Sequence, residues 1–192
     1  MEKLDTLQFI INKRQSIYPN SFTGEQIDDS KVDLILQLAN KAPTHRHVEP
    51  WRFHVIKDET KKSFADFLQN TYKEEVLPEK FNQRKYDKFS SKVNNTSHII
   101  CISFLPDENK PVPEWENIAA TACSVQNIYL AVTALNLGGY WSSPGFFIKN
   151  ANKFLNMQEG EKSLGMFYLG VPKEELPPPV IKEDFSHKVS WY

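Results

Sequence analysis

The sequence has little cysteine, and its two cysteines lie far apart. Cys101 and Cys123 show neither the spacing of metal ligands nor a C-x-x-C pattern. Neither a cysteine-based metal centre nor a dithiol redox centre is therefore expected, and no metal site is predicted. Cys101 falls in a predicted strand and Cys123 in a predicted helix, and we expect both thiols to be buried. Unpaired thiols suit a reducing compartment, so we expect the protein to work in the cytoplasm.

The sequence also lacks an excess of charge and a long apolar run. The formal net charge is −1, and no basic run is interleaved with aromatics, so nucleic acid is not expected as a partner. No run of about 18 apolar residues occurs, and residues 1–5 lack the pattern of a secretory signal, so no membrane association is expected. With 192 residues and 40% hydrophobic content, the chain is expected to form one domain, 1–192.

Hydrophobic spacing predicts helices and strands in turn. Apolar residues recur every three or four positions in segments near 4–13, 30–41, 58–72 and 114–137, which predicts helices there. Strands are predicted at 51–57, 98–105 and 164–170, and the nearly continuous apolar run of the second indicates a strand buried on both faces. The helix at 114–137 is hydrophobic nearly all round, so we expect it in the domain centre or against a second subunit. Gly138-Gly139 is expected to form its left-handed cap.

Two further segments are expected to lie outside this framework. Residues 73–95 are mostly polar with Phe81 and Phe89 as anchors, which predicts a mobile helical excursion of the kind used as a lid, or else a solvated surface helix. The tail, 173–192, contains Pro177-Pro178-Pro179 and ends in several apolar residues. An extended arm with an apolar end is expected to reach across and pack on a partner chain.

Three segments carry candidate site residues. Arg14 follows a helix, and its guanidinium together with the Ser16 hydroxyl suits a phosphate; a helix-terminal charge is the alternative. Pro43 ends another helix before a loop with three cations, which suits an anion or an electron-rich ring, although a solvated connection would look the same. In residues 140–145, two hydroxyls and a glycine allow close approach of a ligand to the backbone, the alternative being a plain turn.

These segments, taken together, resemble the FMN-dependent nitroreductase family, in particular its small branch with histidine in the Ala-Pro loop. The motifs occur in the expected order. They are Asn12-Lys13-Arg14-Gln15-Ser16, then Ala42-Pro43-x-His45-x-x-x-Glu49-Pro50-Trp51-x-Phe53, Pro113-x-Trp115-Glu116, Gly138-Gly139-Tyr140-Trp141-Ser142-Ser143 and Tyr168-Leu169-Gly170-Val171-Pro172. The resemblance extends from about Leu4 to Pro172.

The resemblance implies an α+β nitroreductase-like fold, with a central, mostly antiparallel sheet flanked by helices, and an intertwined homodimer with FMN at the subunit interface. It implies FMN contacts from Arg14, Gln15, Ser16, Lys41, His45, Trp141, Ser142 and Ser143, with Lys41 and His45 supplied by the other subunit. Residues 131–136 fall where a nicotinamide cofactor has been assigned in such proteins. The family often has a second arginine where Gln15 stands, and the branch usually has arginine in place of Lys41 and Ser142. Lys41 keeps the charge but lacks the bidentate fork.

The resemblance further implies an NAD(P)H-dependent flavin oxidoreductase. NADH or NADPH would pass a hydride through flavin N5 to a small electron-poor acceptor, such as a nitroaromatic or a quinone, in a two-step exchange. The flavin carries this chemistry, so no catalytic side chain is expected, and Lys41 is the candidate for tuning the ring. Two alternatives remain: a flavin-binding module with little turnover, and a structural dimer that has lost the cofactor.

Overall fold

The computed structural model describes residues 2–174, 176 and 178–192, so that Glu175 and Pro177 of the predicted arm lie outside the described residues. Within the described residues, helices surround a single sheet. The helices are α1 (Lys3–Lys13), α2 (Asp29–Ala39), α3 (Thr60–Glu75), α4 (Gln83–Asn95), α5 (Glu114–Ala134) and α6 (Gly145–Asn150). The strands are β1 (Trp51–Ile56), β2 (His98–Phe104), β3 (Gly138–Ser142) and β4 (Lys162–Gly170).

The sheet is antiparallel throughout, in the order β1-β2-β4-β3. Strand β2 pairs with a neighbour on each side, and all seven of its residues are buried. The prediction of a central strand covered on both faces is thereby confirmed. The α+β class, with an antiparallel sheet flanked by helices, is confirmed as well, while the homodimer stays a prediction.

Two apolar layers hold the helices against the two faces of the sheet. Alternation along β2 divides its side chains, because successive residues of a strand point to opposite faces. Ile99 and Cys101 join the layer under α3, α4 and α6, whereas Ile100 and Ile102 join the layer under α2 and α5. The layers contain, respectively, Phe64, Leu68, Tyr72, Phe89, Phe147 and Tyr168, and Ile35, Val125, Ile128, Val132, Phe167 and Leu169.

The glycine pair after α5 does not form the predicted left-handed cap. The left-handed residue is Asn136, with φ of 54°, and Gly138 already belongs to β3. The glycines are required by packing instead, because a Cβ on Gly139 would lie 2.2 Å from the Phe167 ring and one on Gly138 2.6 Å from the Phe22 ring. The segment 140–145, read as a loop, therefore begins as strand and continues into α6.

Helix α5 is buried along one side only. Val125, Ile128 and Val132 face the sheet, but Trp115 and Ile118 are exposed. The exposed side also carries Cys123, so the prediction that both thiols are buried was correct for Cys101 and wrong for Cys123. Of the two expectations for this helix, the domain centre or a second subunit, the single chain satisfies the first along one side only, and Cys123 lies on the other side.

Helix α1 and the tail leave their apolar residues uncovered. None of the residues of α1 is buried, although Leu4, Leu7 and Ile11 lie along one stripe of the helix. In the tail, most of the large apolar side chains that the structure describes are also exposed, among them Ile181 and Trp191. An exposed apolar stripe such as that of α1 is a common feature of protein–protein interfaces.

Candidate functional site

The first predicted site segment leaves α1 and runs beside β3. Arg14 ends the helix in an extended conformation, with its N–H still donating to Ile10 O at 3.0 Å. Three residues later, the N–H of Ile17 donates to Gly139 O at 2.9 Å. This contact places Arg14, Gln15 and Ser16 between the end of α1 and the edge of the sheet.

Tyr129, on the buried side of α5, connects this segment to the third predicted site segment. The Arg14 guanidinium carbon lies 5.3 Å from the centre of the Tyr129 ring, a cation–π arrangement. The Tyr129 hydroxyl oxygen is 3.2 Å from Ser16 Oγ and accepts the Trp141 N–H at 2.9 Å. Edge-to-face packing on Phe167, at 4.8 Å between ring centres, fixes the tyrosine ring. The structure thus brings Arg14, Ser16 and Trp141 together around one side chain.

Sequence reasoning treated Tyr129 only as part of the apolar surface of the long helix. Its hydroxyl was the available signal, because a buried tyrosine O–H usually has a hydrogen-bond partner. The identity of that partner depends on the path of residues more than a hundred positions away. Helical spacing alone gives no information on such a contact.

A cavity of about 680 Å³ adjoins the Arg14–Ser16 segment. Its volume lies within the range of about 300–1,000 Å³ that is usual for small-molecule sites. The tail forms part of its wall. The cavity is lined by Ile11, Asn12, Arg14, Gln15, Ser16, Tyr18, Pro179, Val180, Ile181 and Lys182.

The Trp141–Ser143 segment is held tightly against β4. The indole N–H of Trp141 donates to Leu164 O at 3.1 Å. Gly165 has φ of +110°, and a Cβ there would lie 2.3 Å from Ser142 O, so only glycine allows this approach. Ser142 is half-buried and Ser143 is exposed. The segment is thus a supported strand end, and its last serine faces outward.

Lys41 and His45 lie elsewhere in the same chain. Lys41 is exposed just beyond the end of α2. His45 begins a short 3-10 turn, and its Nδ1 is 2.5 Å from Glu116 Oε2 in the first turn of α5. Glu116 and Tyr129 are separated by about 13 residues of one helix, which corresponds to roughly 20 Å at 1.5 Å per residue. One chain therefore does not bring His45 to the Arg14–Ser16 segment.

The loop that carries His45 has a strained backbone. Arg46, His47 and Glu49 have φ of 52°, 52° and 46°, in the left-handed region that non-glycine residues seldom adopt. Two hydrogen bonds to the loop before α5 fix this conformation. Lys110 Nζ donates to His47 O at 3.1 Å, and Arg46 Nη1 donates to Pro111 O at 3.4 Å.

A separate polar cluster lies at the start of β4. Glu161 Oε1 is 2.7 Å from His54 Nε2 and also accepts the Ser103 hydroxyl, while Oε2 accepts the Gln158 N–H at 3.0 Å. Burial acts to raise the pKa of Glu161, but the hydrogen bonds from Ser103, His54 and Gln158 outweigh it and hold that pKa below its usual value of 4.5. The Ser103 hydroxyl donates to the carboxylate rather than to the imidazole, so the cluster does not have the order of a nucleophilic triad.

Two kinds of site are not found in the part of the chain that the structure describes. No group of three or more histidine, cysteine, aspartate or glutamate side chains there is arranged to hold a metal ion. The helices described are also too short or too polar to cross a membrane.

Comparison with known proteins extends over nearly the whole chain. Residues 11–171 match the model of the nitroreductase family. The chain is 28% identical over 174 residues to a protein of Escherichia coli (strain K12) named "Putative NAD(P)H nitroreductase YdjA", a match that covers 88% of this chain and 90% of that protein.

Solved structures show the same fold. The nitroreductase-like family protein from Bacillus cereus superimposes with a TM-score of 0.83 at 22% identity, covering 100% of this chain and 98% of the other. The FMN-dependent nitroreductase NfnB from Mycobacterium smegmatis, solved in complex with NADPH, superimposes with a TM-score of 0.80 at 14% identity over 100% of both chains.

Proposed function

The chain belongs to the nitroreductase family, and on that premise we propose that it binds FMN and transfers reducing equivalents from NADH or NADPH to a small electron-poor acceptor. Nitroaromatics and quinones are acceptors of this class. The observation that carries the proposal is the convergence of Arg14, Ser16 and Trp141 on Tyr129 beside a cavity of about 680 Å³. The solved relative from Mycobacterium smegmatis is FMN-dependent and was crystallised with NADPH, which supports the choice of cofactors.

The residues around this cavity suit the phosphate end of FMN. Within the described residues, the Arg14 guanidinium packs on an aromatic ring and forms no ion pair, so its donors are available to an anion. The Ser16 hydroxyl and the Gln15 side chain line the same space. A planar guanidinium beside a hydroxyl donor is well suited to phosphate oxygens. The donor set therefore fits the cofactor.

We propose that a second copy of the chain completes the site. In one chain, His45 lies roughly 20 Å along α5 from the level of Ser16, a separation that favours different subunits as the source of these two contacts with one flavin. Helix α1, which buries none of its residues, and the exposed side of α5 around Ile118 and Cys123 supply an apolar surface for that partner. The arm, 173–192, is proposed to pack on the partner. The segment 73–95 is proposed to act as a lid that is anchored to the core through α4, which buries Phe89 and Val93.

FMN, when bound, would supply the redox chemistry, which is hydride transfer through N5. The role of the chain's own residues is to bind the cofactor and to orient it. Arg14, Gln15 and Ser16 hold the phosphate and its adjoining chain, while Trp141, Ser142 and Ser143 border the same end. Lys41 and His45, from the partner, place positive charge or an N–H near the ring, with Lys41 stabilising negative charge on it. No side chain is required as an acid or base.

The first test is the visible absorbance spectrum of the purified protein, followed by anaerobic addition of NADH and NADPH separately. A flavin band that one donor bleaches supports the oxidoreductase. A band that neither bleaches favours a flavin-binding module. No band and no binding of added FMN would leave a structural dimer and overturn the proposal.

The second test concerns the phosphate contact. Arg14→Ala is expected to weaken FMN binding by about 1.5–3 kcal/mol, the value of a hydrogen bond to a charged group. Arg14→Lys is the matched variant, because it keeps the positive charge and removes the planar fork of the guanidinium. Its FMN affinity is expected to lie between those of the wild type and Arg14→Ala. FMN affinity that is unchanged in Arg14→Ala would remove Arg14 from the site.

A cytoplasmic location is also proposed. It is supported by the free thiols Cys101 and Cys123, which suit a reducing compartment.

A further inference from the structure

Glu116 and His45 form a pair that none of the roles above explains. His45 Nδ1 lies 2.5 Å from Glu116 Oε2, and because an ionised carboxylate only accepts, we assign the proton of this hydrogen bond to Nδ1. This fixes the plane of the imidazole and leaves Nε2 as the ring nitrogen free for another contact. The His45 side chain is 57% exposed and that of Glu116 20% exposed, so the histidine faces outward from a more covered carboxylate.

The backbone under His45 is fixed as well. The left-handed residues Arg46 and His47 follow it directly, and each is tied to the loop before α5 by a hydrogen bond. A conformation of this cost persists only where surrounding contacts determine it. Both the backbone that follows His45 and the His45 imidazole are thus held in place. This arrangement is expected of a side chain that must present one atom in a fixed direction.

Glu114, two residues before Glu116, allows a purely structural role of Glu116 in the helix to be tested separately. Glu114 also lies in the first turn of α5, where negative charge favours the helix dipole, and it pairs with Lys162. Each glutamate therefore places a negative charge where it favours the helix dipole of α5. Only Glu116 contacts a residue of the candidate site.

From these contacts we infer that Glu116 is a positioning residue, which orients the His45 ring so that Nε2 points toward the flavin bound with the partner subunit. The inference rests on the proposed function. It assigns Glu116 no contact with FMN or with substrate, because it acts through His45. Loss of the carboxylate leaves the imidazole free to rotate, and the contact that His45 makes is then lost in part.

The test measures FMN binding by the cofactor-free protein, using quenching of flavin fluorescence, with Glu116→Ala, Glu116→Gln and Glu114→Ala. Glu116→Ala is expected to raise the dissociation constant about tenfold, the upper end for one net hydrogen bond. Glu116→Gln keeps an acceptor oxygen and is expected to restore most of the affinity. Glu114→Ala is expected to leave it unchanged.

A second readout follows the ring itself. The ¹⁵N signals of the His45 imidazole in cofactor-free protein are expected to show a proton held on Nδ1 in the wild type and not in Glu116→Ala. His45→Ala is expected to weaken FMN binding at least as much as Glu116→Ala does, and the double variant no more than His45→Ala, because Glu116 acts through His45.

The two ideas fail in different ways. If wild-type protein binds no FMN, the proposed function and the inference fall together. If it binds FMN and Glu116→Ala binds as tightly, only the inference is overturned. An equal loss in Glu114→Ala would assign the effect to the helix and would also overturn it.

Discussion

Helices α1 and α4 are both amphipathic, yet they differ in what covers them. Helix α4 buries Phe89 and Val93 in a cluster of aromatic rings, with Phe89 lying 5.4 Å from Tyr72 and 5.3 Å from Phe146 between ring centres. Helix α1 buries none of its residues, and its Leu7 is 48% exposed. The apolar stripe of α4 thus packs against its own chain, whereas that of α1 is left uncovered by the described residues.

The difference separates stability from assembly. Residues of α4 should contribute to the free energy of unfolding of the single chain, because the surface that they cover lies within it. Residues of α1 should contribute to association instead, because their burial requires another surface. Three measurements can break or sharpen this distinction, and a fourth tests a smaller contribution to the stability of the single chain.

The largest effect is expected for Phe89→Ala, which empties part of the aromatic cluster. Loss of a buried phenylalanine costs about 3–5 kcal/mol, so the urea midpoint should fall strongly at every protein concentration. The neighbouring Lys88→Ala, at an exposed position, is the control and should have little effect. An unaffected midpoint in Phe89→Ala would mean that α4 is not part of the core.

Leu7→Ala, on α1, is expected to weaken association by roughly 1 kcal/mol per chain, because Leu7 is 48% exposed and full burial of a leucine side chain contributes about 1.5–3 kcal/mol. Sedimentation equilibrium should show a higher dissociation constant, whereas Gln8→Ala, on the same helix, should not. A wild-type protein that remains monomeric at all concentrations would contradict the proposed interface.

Alkylation of Cys123 provides an intermediate test. Its thiol is exposed in the single chain, so association over this side of α5 should slow its reaction with N-ethylmaleimide by roughly tenfold, since thiol reactivity depends on access. Cys101 is the internal control, because burial raises the pKa of its thiol and hides it in both states. Equal rates at high and low protein concentration would place the interface elsewhere.

The smallest effect concerns Glu161, whose pKa in the folded chain is held below its usual value of 4.5. A lowered carboxyl pKa stabilises the folded state at a pH above the unfolded value, and this stability is lost as the pH falls through the folded value. Unfolding in urea at about pH 7 and at about pH 4 should therefore show a smaller drop for Glu161→Gln than for wild type. Glu159→Gln, at an exposed position, should follow wild type.

Much of the framework could be predicted because its signals are local. The apolar run at 98–105 predicted a strand covered on both faces, and β2 is one. A helix was predicted near 30–41, and α2 begins at Asp29 after Asp28, whose side chain accepts the Ser30 N–H at 2.8 Å. These features depend on residues within one turn or one strand, so neighbouring positions carry enough information.

The remaining features depend on contacts between distant positions. Gly139 was assigned to a cap because glycine favours positive φ, but its lack of a side chain serves the Phe167 ring across the sheet. Cys123 was expected to be buried because an apolar helix does not reveal which side meets its own chain. Of the candidate site residues, Arg14, Ser16 and Trp141 meet at Tyr129, and no pattern near any of them identified that tyrosine.

Strand β3 lies at an edge of the sheet, and edges with free N–H and C=O groups invite pairing with other chains. Two of its outward backbone groups are occupied: Gly139 O accepts the Ile17 N–H, and the Trp141 N–H donates to the Tyr129 hydroxyl. The contacts that assemble one end of the candidate site thus also occupy edge groups that could otherwise pair with another chain. Removal of the Tyr129 hydroxyl should therefore affect solubility as well as the site, which ties the two properties to one oxygen atom.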